Sequence, residues 1–155
     1  MPDIDRSRGS DVAFFLALMA TTLALGAALA HAYSLANKIG LDAEAYLHAQ
    51  RAYDNWHFVG FALPLQIIGM IAVIVRHRGE GRILRPAAVA LVLCLAAQIV
   101  FWIWTFPVNQ ATENWTQMPD TWQALRAQWE YSHLVGAACQ LVAMGALVVA
   151  VLRRA

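Results

Sequence analysis

Apolar residues are concentrated in four stretches of the chain, at residues 12–33, 58–75, 87–106 and 130–152. Each stretch is close to the ~20 residues that an α-helix needs to cross the hydrocarbon core of a bilayer. We therefore predict transmembrane helices over about residues 12–36, 55–76, 86–108 and 121–153. The connection between the second and third helices is short, which favours antiparallel neighbours. The expected fold is all-α: an up-down-up-down four-helix bundle in a single integral membrane domain, residues 1–155.

A shorter helix is predicted in the first connection, over about residues 42–53. Asp42 is a suitable N-cap, and Leu41 and Tyr46 flank it at the positions of a hydrophobic staple. Leu41, Tyr46 and Tyr53 give this segment an apolar face. We expect an amphipathic helix that lies on the membrane surface or covers the end of the bundle.

The composition agrees with a membrane protein and argues against a soluble domain. Hydrophobic residues make up 60% of the 155 residues and charged residues only 14%, which is too apolar for an ordinary soluble chain. The charged residues lie mainly in the connections and at the termini, so the bilayer itself is the first expected partner. With a net charge of +1, nothing points to nucleic acid.

The basic residues predict an orientation. Eight lie before the first helix, between the second and third helices, and at the C-terminus: Arg6, Arg8, Arg76, Arg78, Arg82, Arg85, Arg153 and Arg154. Three lie on the other side: Lys38, Arg51 and Arg126. Because short cytoplasmic loops carry the excess of Lys and Arg, we expect both termini in the cytoplasm.

Aromatic and titratable side chains collect at the opposite, outer end of the predicted bundle. All six tryptophans belong to that end: Trp56, Trp102, Trp104, Trp115, Trp122 and Trp129. Four of the five histidines join them: His31, His48, His57 and His133. An anchoring belt would place aromatic residues at both interfaces, so the one-sided distribution predicts a site that faces the outside.

Polar residues recur at helical spacing within two of the apolar stretches. Gln98, Trp102 and Asn109 share one face of the third helix, and Glu130, His133 and Gln140 share one face of the fourth. Gln66, Gln98 and Gln140 come out near the middle of the membrane. These glutamines can be interhelical hydrogen-bond partners or the polar floor of an outward pocket.

The histidines permit a metal site. His31, His57 and His133 come from three helices at a similar depth, and imidazole is a common ligand of copper, iron, zinc and haem. Glu130 and His133 also form a Glu-x-x-His pair. A carboxylate di-iron bundle needs that pair twice with two more glutamates, so such a centre is not expected.

The same residues also permit metal-free acid–base chemistry. Arg126, Glu130 and His133 lie on one helix face, where His133 or Glu130 can remove a proton from a phenolic or enolic substrate. Trp56, Trp102 and Trp129 are expected to form flat walls around an aromatic ring. His31 is a further catalytic candidate, and Gln98, Asn109 and Gln140 are candidates for substrate binding.

The last third of the chain carries a set of short motifs: Thr105-Phe106-Pro107-Val108-Asn109, Asn114-Trp115, Pro119-Asp120-Thr121-Trp122, Leu125-Arg126 and Trp129-Glu130-Tyr131-Ser132-His133. This set resembles the anthrone oxygenase-like family of small four-helix membrane proteins. The first half matches mainly in helix count and in the position of His31. The resemblance implies oxygenation of a polycyclic phenolic ketone without a recognised cofactor, through a substrate carbanion that reacts with oxygen. The matching residues are Asn109, Trp122, Arg126, Trp129 and His133.

Three functions are therefore compared below. The leading one is a membrane-embedded oxidoreductase of the oxygenase type, which acts on a lipophilic aromatic or quinone-like small molecule in a pocket at the outer membrane face. The second is a histidine-ligated metal- or haem-binding redox protein. The third is a non-catalytic membrane subunit or chaperone, in which the small residues Thr22, Gly26 and Ala30 form a docking face. The sequence also leaves a homo-oligomer open.

Overall fold

The computed structural model describes the backbone of residues 2–154 and the side chains of residues 8–154. Within that range the chain is helical and contains no strand. The α-helices are α1 (Pro2–Lys38), α2 (Ala43–Gln50), α3 (Ala62–Arg76), α4 (Gly81–Val100), α5 (Phe106–Ala111) and α6 (Trp122–Leu152). Two 3₁₀ segments, Arg51–Tyr53 and Trp56–Phe61, precede α3, and a π segment, Phe101–Thr105, joins α4 to α5.

Four helical spans are long and apolar enough to cross a membrane, by length and composition: Arg8–Lys38, Trp56–Arg76, Gly81–Ala111 and Trp122–Leu152. The prediction of an all-helical chain with four such spans is confirmed. Large apolar side chains also cover the outer surface of the bundle, among them Leu23, Ile68 and Val92 at 59%, 59% and 64% exposure. A surface of this kind is suited to lipid rather than water.

Contacts at the two ends show which helix termini meet. The hydroxyl of Ser10 in α1 is 2.8 Å from Nε2 of His77, just after α3. Arg154, after α6, pairs with Asp11 of α1. We call this the arginine end, because Arg76, Arg78, Arg82, Arg85, Arg153 and Arg154 surround it. The opposite end, which holds all six tryptophans, is called the tryptophan end.

Three helix starts differ from the sequence prediction by five residues or more. Helix α3 begins at Ala62 instead of near residue 55, because Trp56–Phe61 forms a 3₁₀ segment. Helix α1 begins ten residues before residue 12, because backbone hydrogen bonding continues beyond the apolar stretch that marks the membrane span. Helix α4 begins at Gly81, so Pro86 lies inside it rather than at its start. A proline leaves the carbonyl four residues earlier without its helical donor. That carbonyl belongs to Arg82, and it accepts a bond of 3.4 Å from Arg153.

Small residues allow the helices to approach closely at the arginine end. The core there combines alanines such as Ala17, Ala87 and Ala143 with Met70 and Leu147, all fully buried. Small interfacial residues let transmembrane helices make extensive van der Waals contact. The tryptophan end has a different core, made of Tyr46, Val108, Trp115 and Trp129.

The closest approach of α1 and α3 depends on Gly69. A Cβ atom at this position would lie 2.7 Å from the backbone nitrogen and 2.8 Å from the Cα of Ala17. We expect Gly69→Ala to destabilise the bundle by about 1–3 kcal/mol, because the two helices must separate to accommodate the methyl group. Reversible unfolding in mixed micelles measures this change.

Gly145→Ala is the matched control for that substitution. Gly145 lies inside α6, and a Cβ atom there meets nothing within 4 Å. Alanine should therefore leave stability unchanged or raise it by up to about 1 kcal/mol, through its higher helix propensity. Equal effects of the two substitutions would contradict the close α1–α3 contact.

Candidate functional site

A partly open cavity of about 820 Å³ lies at the tryptophan end. Its wall comes from α1, the 3₁₀ segment Trp56–Phe61, the α4–π–α5 span and α6. Nine of the residues singled out from the sequence line it: His31, Trp56, His57, Gln98, Trp102, Asn109, Trp129, His133 and Gln140. Arg126 and Glu130 are not part of this lining. Side chains from four spans thus meet around one space.

The centre of the wall is a pair of adjoining imidazoles. The ring centroids of His31 and His133 are 4.2 Å apart. His31 also contacts Tyr53, Trp56 and Trp129, with centroid distances of 4.2, 5.2 and 5.0 Å. His31 is 8% exposed, so aromatic rings replace water around most of it. This pair and the rings around it form one continuous aromatic cluster in the cavity wall.

The hydrogen bond of His133 determines which of its nitrogens can act as a base. Nδ1 lies 2.9 Å from the backbone carbonyl oxygen of Trp129, one turn earlier in α6. A carbonyl only accepts, so Nδ1–H donates and the proton of the neutral ring is on Nδ1. Nε2 then carries the lone pair. This arrangement suits a general base.

Trp129 is held in place between the imidazoles and α5. Its indole Nε1–H donates to Oδ1 of Asn109 at 2.8 Å, and its ring is 4.0 Å from that of His133. A buried indole N–H usually finds a partner. Asn109 therefore fixes the orientation of the ring on which His133 packs.

The π segment shapes the wall formed by the third membrane span. Phe101, Trp102 and Thr105 all lie in it and all line the cavity. The distortion ends just before Pro107, which has no N–H and would crowd the carbonyl of Ile103 in a regular α-helix. Thr105 is anchored by a hydroxyl contact of 2.7 Å with Ser132 of α6. Proline thus explains a departure from α-helix at the position where the wall is built.

Glutamines close the inner end of the cavity. Nε2 of Gln66 donates to Oε1 of Gln140 at 2.7 Å and lies 3.2 Å from the hydroxyl of Thr21. These bonds link α1, α3 and α6 in the buried interior, where an unpaired amide would be costly. Gln140 also faces the cavity, whereas Gln98 lines it with partial exposure. Of the three glutamines, two form an interhelical bond and two reach the cavity.

Glu130 and Arg126 lie behind the cavity wall and do not pair with each other. Oε1 of Glu130 is 2.9 Å from Nζ of Lys38, in an ion pair that is almost completely buried. Arg126 donates to the carbonyl oxygen of Leu41 at 2.5 Å. The two side chains therefore tie α6 to the end of α1 and to the start of the first connection.

Tyr46 of α2 completes this buried network. Its hydroxyl donates to Oε1 of Glu130 at 2.9 Å and accepts from the amide of Gln50. Burial, together with the neighbouring Glu130 carboxylate, raises the pKa of Tyr46 well above its ordinary value. The phenol therefore keeps its proton and remains a donor.

Lys38 is a site-adjacent residue that the sequence analysis missed. It was counted only as one of the basic residues of the outer side, yet it is 4% exposed. Its Nζ lies 4.5 Å from the ring centroid of Tyr53 and 5.0 Å from that of Trp129. A lysine at the end of an apolar helix usually extends its head towards water. The one related residue in the sequence was Glu130, a carboxylate candidate in the fourth helix, and no local pattern connected Glu130 with Lys38.

His57 does not join the imidazole pair as a third ligand. It is exposed, and its ring packs on Phe58 with a centroid distance of 4.2 Å. Among the residues that the structure describes, no group of three His, Cys, Asp or Glu side chains has a geometry able to hold a metal ion. The donor set at the centre is therefore two imidazoles, fewer than the three protein ligands of a typical catalytic zinc site.

Comparison with protein-family models, with curated proteins and with solved structures gave no match to this chain. The candidate site therefore has to be interpreted from its own chemistry.

The buried ion pair generates a stability prediction. We expect Lys38→Met to destabilise the protein by about 3–5 kcal/mol, because it leaves the Glu130 carboxylate buried without a counter-charge. The double variant Lys38→Met, Glu130→Gln should recover most of this loss, since glutamine is neutral and can still accept from Tyr46. Reversible unfolding in mixed micelles measures the stability of the wild type, the single variant and the double variant. A double variant as unstable as the single one would contradict the charge-based explanation.

Proposed function

We propose that this chain is an integral membrane oxidoreductase of the oxygenase type. Its substrate is a lipophilic aromatic or quinone-like small molecule that binds in the cavity at the tryptophan end. The observation that carries the proposal is the placement of His133, whose Nε2 lone pair is free, in an 820 Å³ cavity lined with indole rings. Flat aromatic walls favour a flat aromatic ligand through offset or edge-on ring contacts.

The proposed topology is up-down-up-down, with both termini in the cytoplasm and the cavity facing outwards. It is supported by the excess of arginine at one end of the bundle and by the contacts of Ser10 with His77 and of Asp11 with Arg154. Helix α2 is then an amphipathic outer cap. Within this helix, Tyr46 and Gln50 are buried, whereas Glu44 and His48 are exposed.

The substrate is proposed to arrive from the lipid, through the side of the bundle. The cavity is bounded there by the 3₁₀ segment Trp56–Phe61 and by the π segment, two irregular stretches. Phe61 and Trp102 on these stretches are 71% and 57% exposed. Exposed aromatic side chains near the membrane interface suit the transfer of an apolar ring out of the bilayer.

In the proposed reaction, Nε2 of His133 removes a proton from an activated C–H group of the substrate. The resulting carbanion is delocalised over the aromatic system and transfers its electrons to dioxygen, the oxidant. For a methylene group, the net reaction is R₂CH₂ + O₂ → R₂C=O + H₂O. His31 contacts the imidazole of His133 and helps to position this base. Glu130 and Arg126 act as positioning residues, because they hold the wall through Lys38 and Leu41.

Substitution of His133 tests this mechanism. We expect His133→Gln to reduce oxygen uptake with an aromatic ketone that has an acidic methylene, such as anthrone, by about 10²–10⁴-fold, the usual contribution of a general base. The dissociation constant of the ketone should change by no more than about threefold, because the ring walls remain. His48→Gln, on the exposed face of α2, is the control and should keep full activity.

Analysis of the purified wild-type protein distinguishes this proposal from the metal- or haem-binding alternative. Stoichiometric copper, iron or zinc by elemental analysis, or a haem absorption band, together with activity lost on metal removal, would support a metal protein instead. Full turnover by His133→Gln would contradict the proposed base.

Filling the cavity tests whether it is the binding site. Gly136 lines the cavity, and a Cβ atom there meets nothing within 4 Å. We expect Gly136→Leu to fold normally and to weaken ligand binding at least about 10-fold, since a side chain of four carbons occupies the ligand's space. Gly145→Leu, in the same helix and outside the cavity, should bind normally. Isothermal titration in detergent measures the ligand affinity of both variants, and equal affinities would exclude this cavity as the binding site.

A further inference from the structure

Three arginines come together where α4 and α6 reach the arginine end. Arg82 and Arg85 lie one turn apart at the start of α4, and Arg153 directly follows α6. The guanidinium of Arg153 donates to the backbone carbonyl of Arg82 at 3.4 Å, which joins the two helix ends. That carbonyl can accept because Pro86 has no N–H to offer it. All three side chains are exposed, and we call them the arginine triplet.

No carboxylate among residues 8–154 forms an ion pair with the arginine triplet. The two carboxylates that the structure describes at this end have other partners. Asp11 pairs with Arg154, and Oε1 of Glu80 is 2.9 Å from Nδ1 of His77. Like charges held side by side on a helix repel each other. The arrangement therefore favours an anion that comes from outside the chain.

Membrane orientation alone does not account for this grouping. The excess of basic residues on the cytoplasmic side depends on how many of them a short loop carries, and not on whether they adjoin one another. Arg78, which is exposed in the loop before α4, contributes to that number by itself. The triplet instead joins residues that are 71 positions apart in the chain. The grouping is thus a property of the fold.

The arginine triplet lies at the boundary between the apolar spans and the polar region outside them. Arg82 and Arg85 are at the start of the span Gly81–Ala111, and Arg153 directly follows the span Trp122–Leu152. Arginine side chains at the ends of membrane helices extend towards the interface, which is where the phosphate groups of phospholipids lie. A guanidinium binds phosphate oxygens through paired, charge-assisted hydrogen bonds. A phospholipid phosphate is therefore the anion that this position offers.

Exposed apolar side chains continue from the arginine triplet into the membrane. On α4, Val89 and Val92 share the face of Arg85, and they are 49% and 64% exposed. On α6, Val149 lies one turn before Arg153 and is 38% exposed. With a rise of ~1.5 Å per residue, the stripe on α4 reaches about 10 Å below Arg85. The acyl chains of a lipid would cover such a surface, whereas an ion from solution would make no contact with it.

We propose that the arginine triplet is a binding site for an anionic glycerophospholipid. The phosphate group of the lipid lies between the guanidiniums, and its acyl chains lie along the valines of α4 and α6. A headgroup without a positive charge of its own, such as that of phosphatidylglycerol, provides the net negative charge that clustered arginines attract. The site is at the opposite end of the bundle from the cavity, so it does not depend on the proposed oxidoreductase activity.

Binding of two lipids with identical acyl chains tests the site. Dioleoylphosphatidylglycerol and dioleoylphosphatidylcholine are titrated onto the purified full chain in detergent, and native mass spectrometry gives a dissociation constant for each lipid. Both lipids contain the same phosphodiester, but the choline ammonium neutralises its charge. We expect the wild-type protein to bind phosphatidylglycerol at least about 10-fold more tightly, since each arginine beside an anionic headgroup contributes about fivefold in affinity.

Removal of the arginine triplet should abolish this preference. The triple variant Arg82→Gln, Arg85→Gln, Arg153→Gln is expected to bind the two lipids with affinities within about twofold of each other. The control variant removes the same number of charges from three other exposed arginines and should keep the preference: Arg8→Gln, Arg51→Gln, Arg78→Gln. Membrane orientation has no effect on either measurement, because both are made in detergent.

A pair of single variants keeps the test decisive if the triple variant does not fold. Arg85→Gln should reduce the preference for phosphatidylglycerol by about fivefold, whereas Arg78→Gln, which removes the same charge from the adjoining loop, should leave it unchanged. Circular dichroism and thermal unfolding establish that each variant is folded. The ratio of the two affinities within one variant is independent of small losses of stability.

Inorganic phosphate distinguishes a lipid site from a simple anion site. Compared with sodium chloride at the same ionic strength, it should not displace bound phosphatidylglycerol, because it makes no contact with the valines. Displacement at a concentration equal to that of the lipid overturns the lipid as the occupant. Equal binding of the two lipids by the wild-type protein overturns the site, and so does a preference that survives removal of the triplet. None of these results changes the outcome expected for His133→Gln, which is measured at the cavity.

Discussion

The buried contact between Lys38 and Glu130 is the interaction on which the tryptophan end depends. Lys38 is the last residue of α1, Glu130 lies two turns into α6, and Tyr46 brings α2 onto the same carboxylate. Two buried charges are tolerated when each compensates the other, and the Tyr46 hydroxyl gives Oε1 of Glu130 a further bond. The ion pair therefore requires α1, α2 and α6 to meet at one point, and that point backs the imidazole pair.

The two halves of the bundle solve different packing problems. At the arginine end, Gly69 and alanines such as Ala17 let backbones approach closely. At the tryptophan end, the core consists of large rings such as Trp115 and Trp129. The hydrogen bonds of Gln66 with Gln140 and Thr21 lie between these two parts of the bundle. The cavity lies on the tryptophan-end side of these bonds, with Gln140 in its lining.

Irregular backbone geometry lies beside that cavity in two places. Pro107 follows the π segment that carries Trp102 into the wall, and the left-handed turn at Glu113–Trp115 brings a second indole inward. Such distortions are tolerated at membrane depth only where the freed polar groups find partners inside the protein. Departures from regular structure often mark functional sites. Here they supply two of the indole rings in the cavity wall.

The sequence by itself determined the coarse architecture. Four apolar stretches of the right length predicted four helices able to span a membrane, because hydrophobic length is a local property that can be counted along the chain. Helical spacing also identified residues that now line one cavity, including His133, Trp129 and Asn109, since period and direction follow from helix geometry. The sequence did not identify the partner of Glu130. Arg126 lies four residues away on the same helix face, whereas the partner is Lys38, which is distant in the chain.

Only the tertiary structure decided which polar atoms are paired and which are left over. The tilted contact of His31 with His133, the exposure of His57, and the unpaired atoms of Gln50 and Trp115 depend on how whole helices rotate and approach. Those rotations result from the sum of many weak contacts between segments far apart in the chain. The local pattern contains no information about them. The sequence could therefore supply the candidate residues, but it could not tell which of them line the cavity and which lie behind its wall.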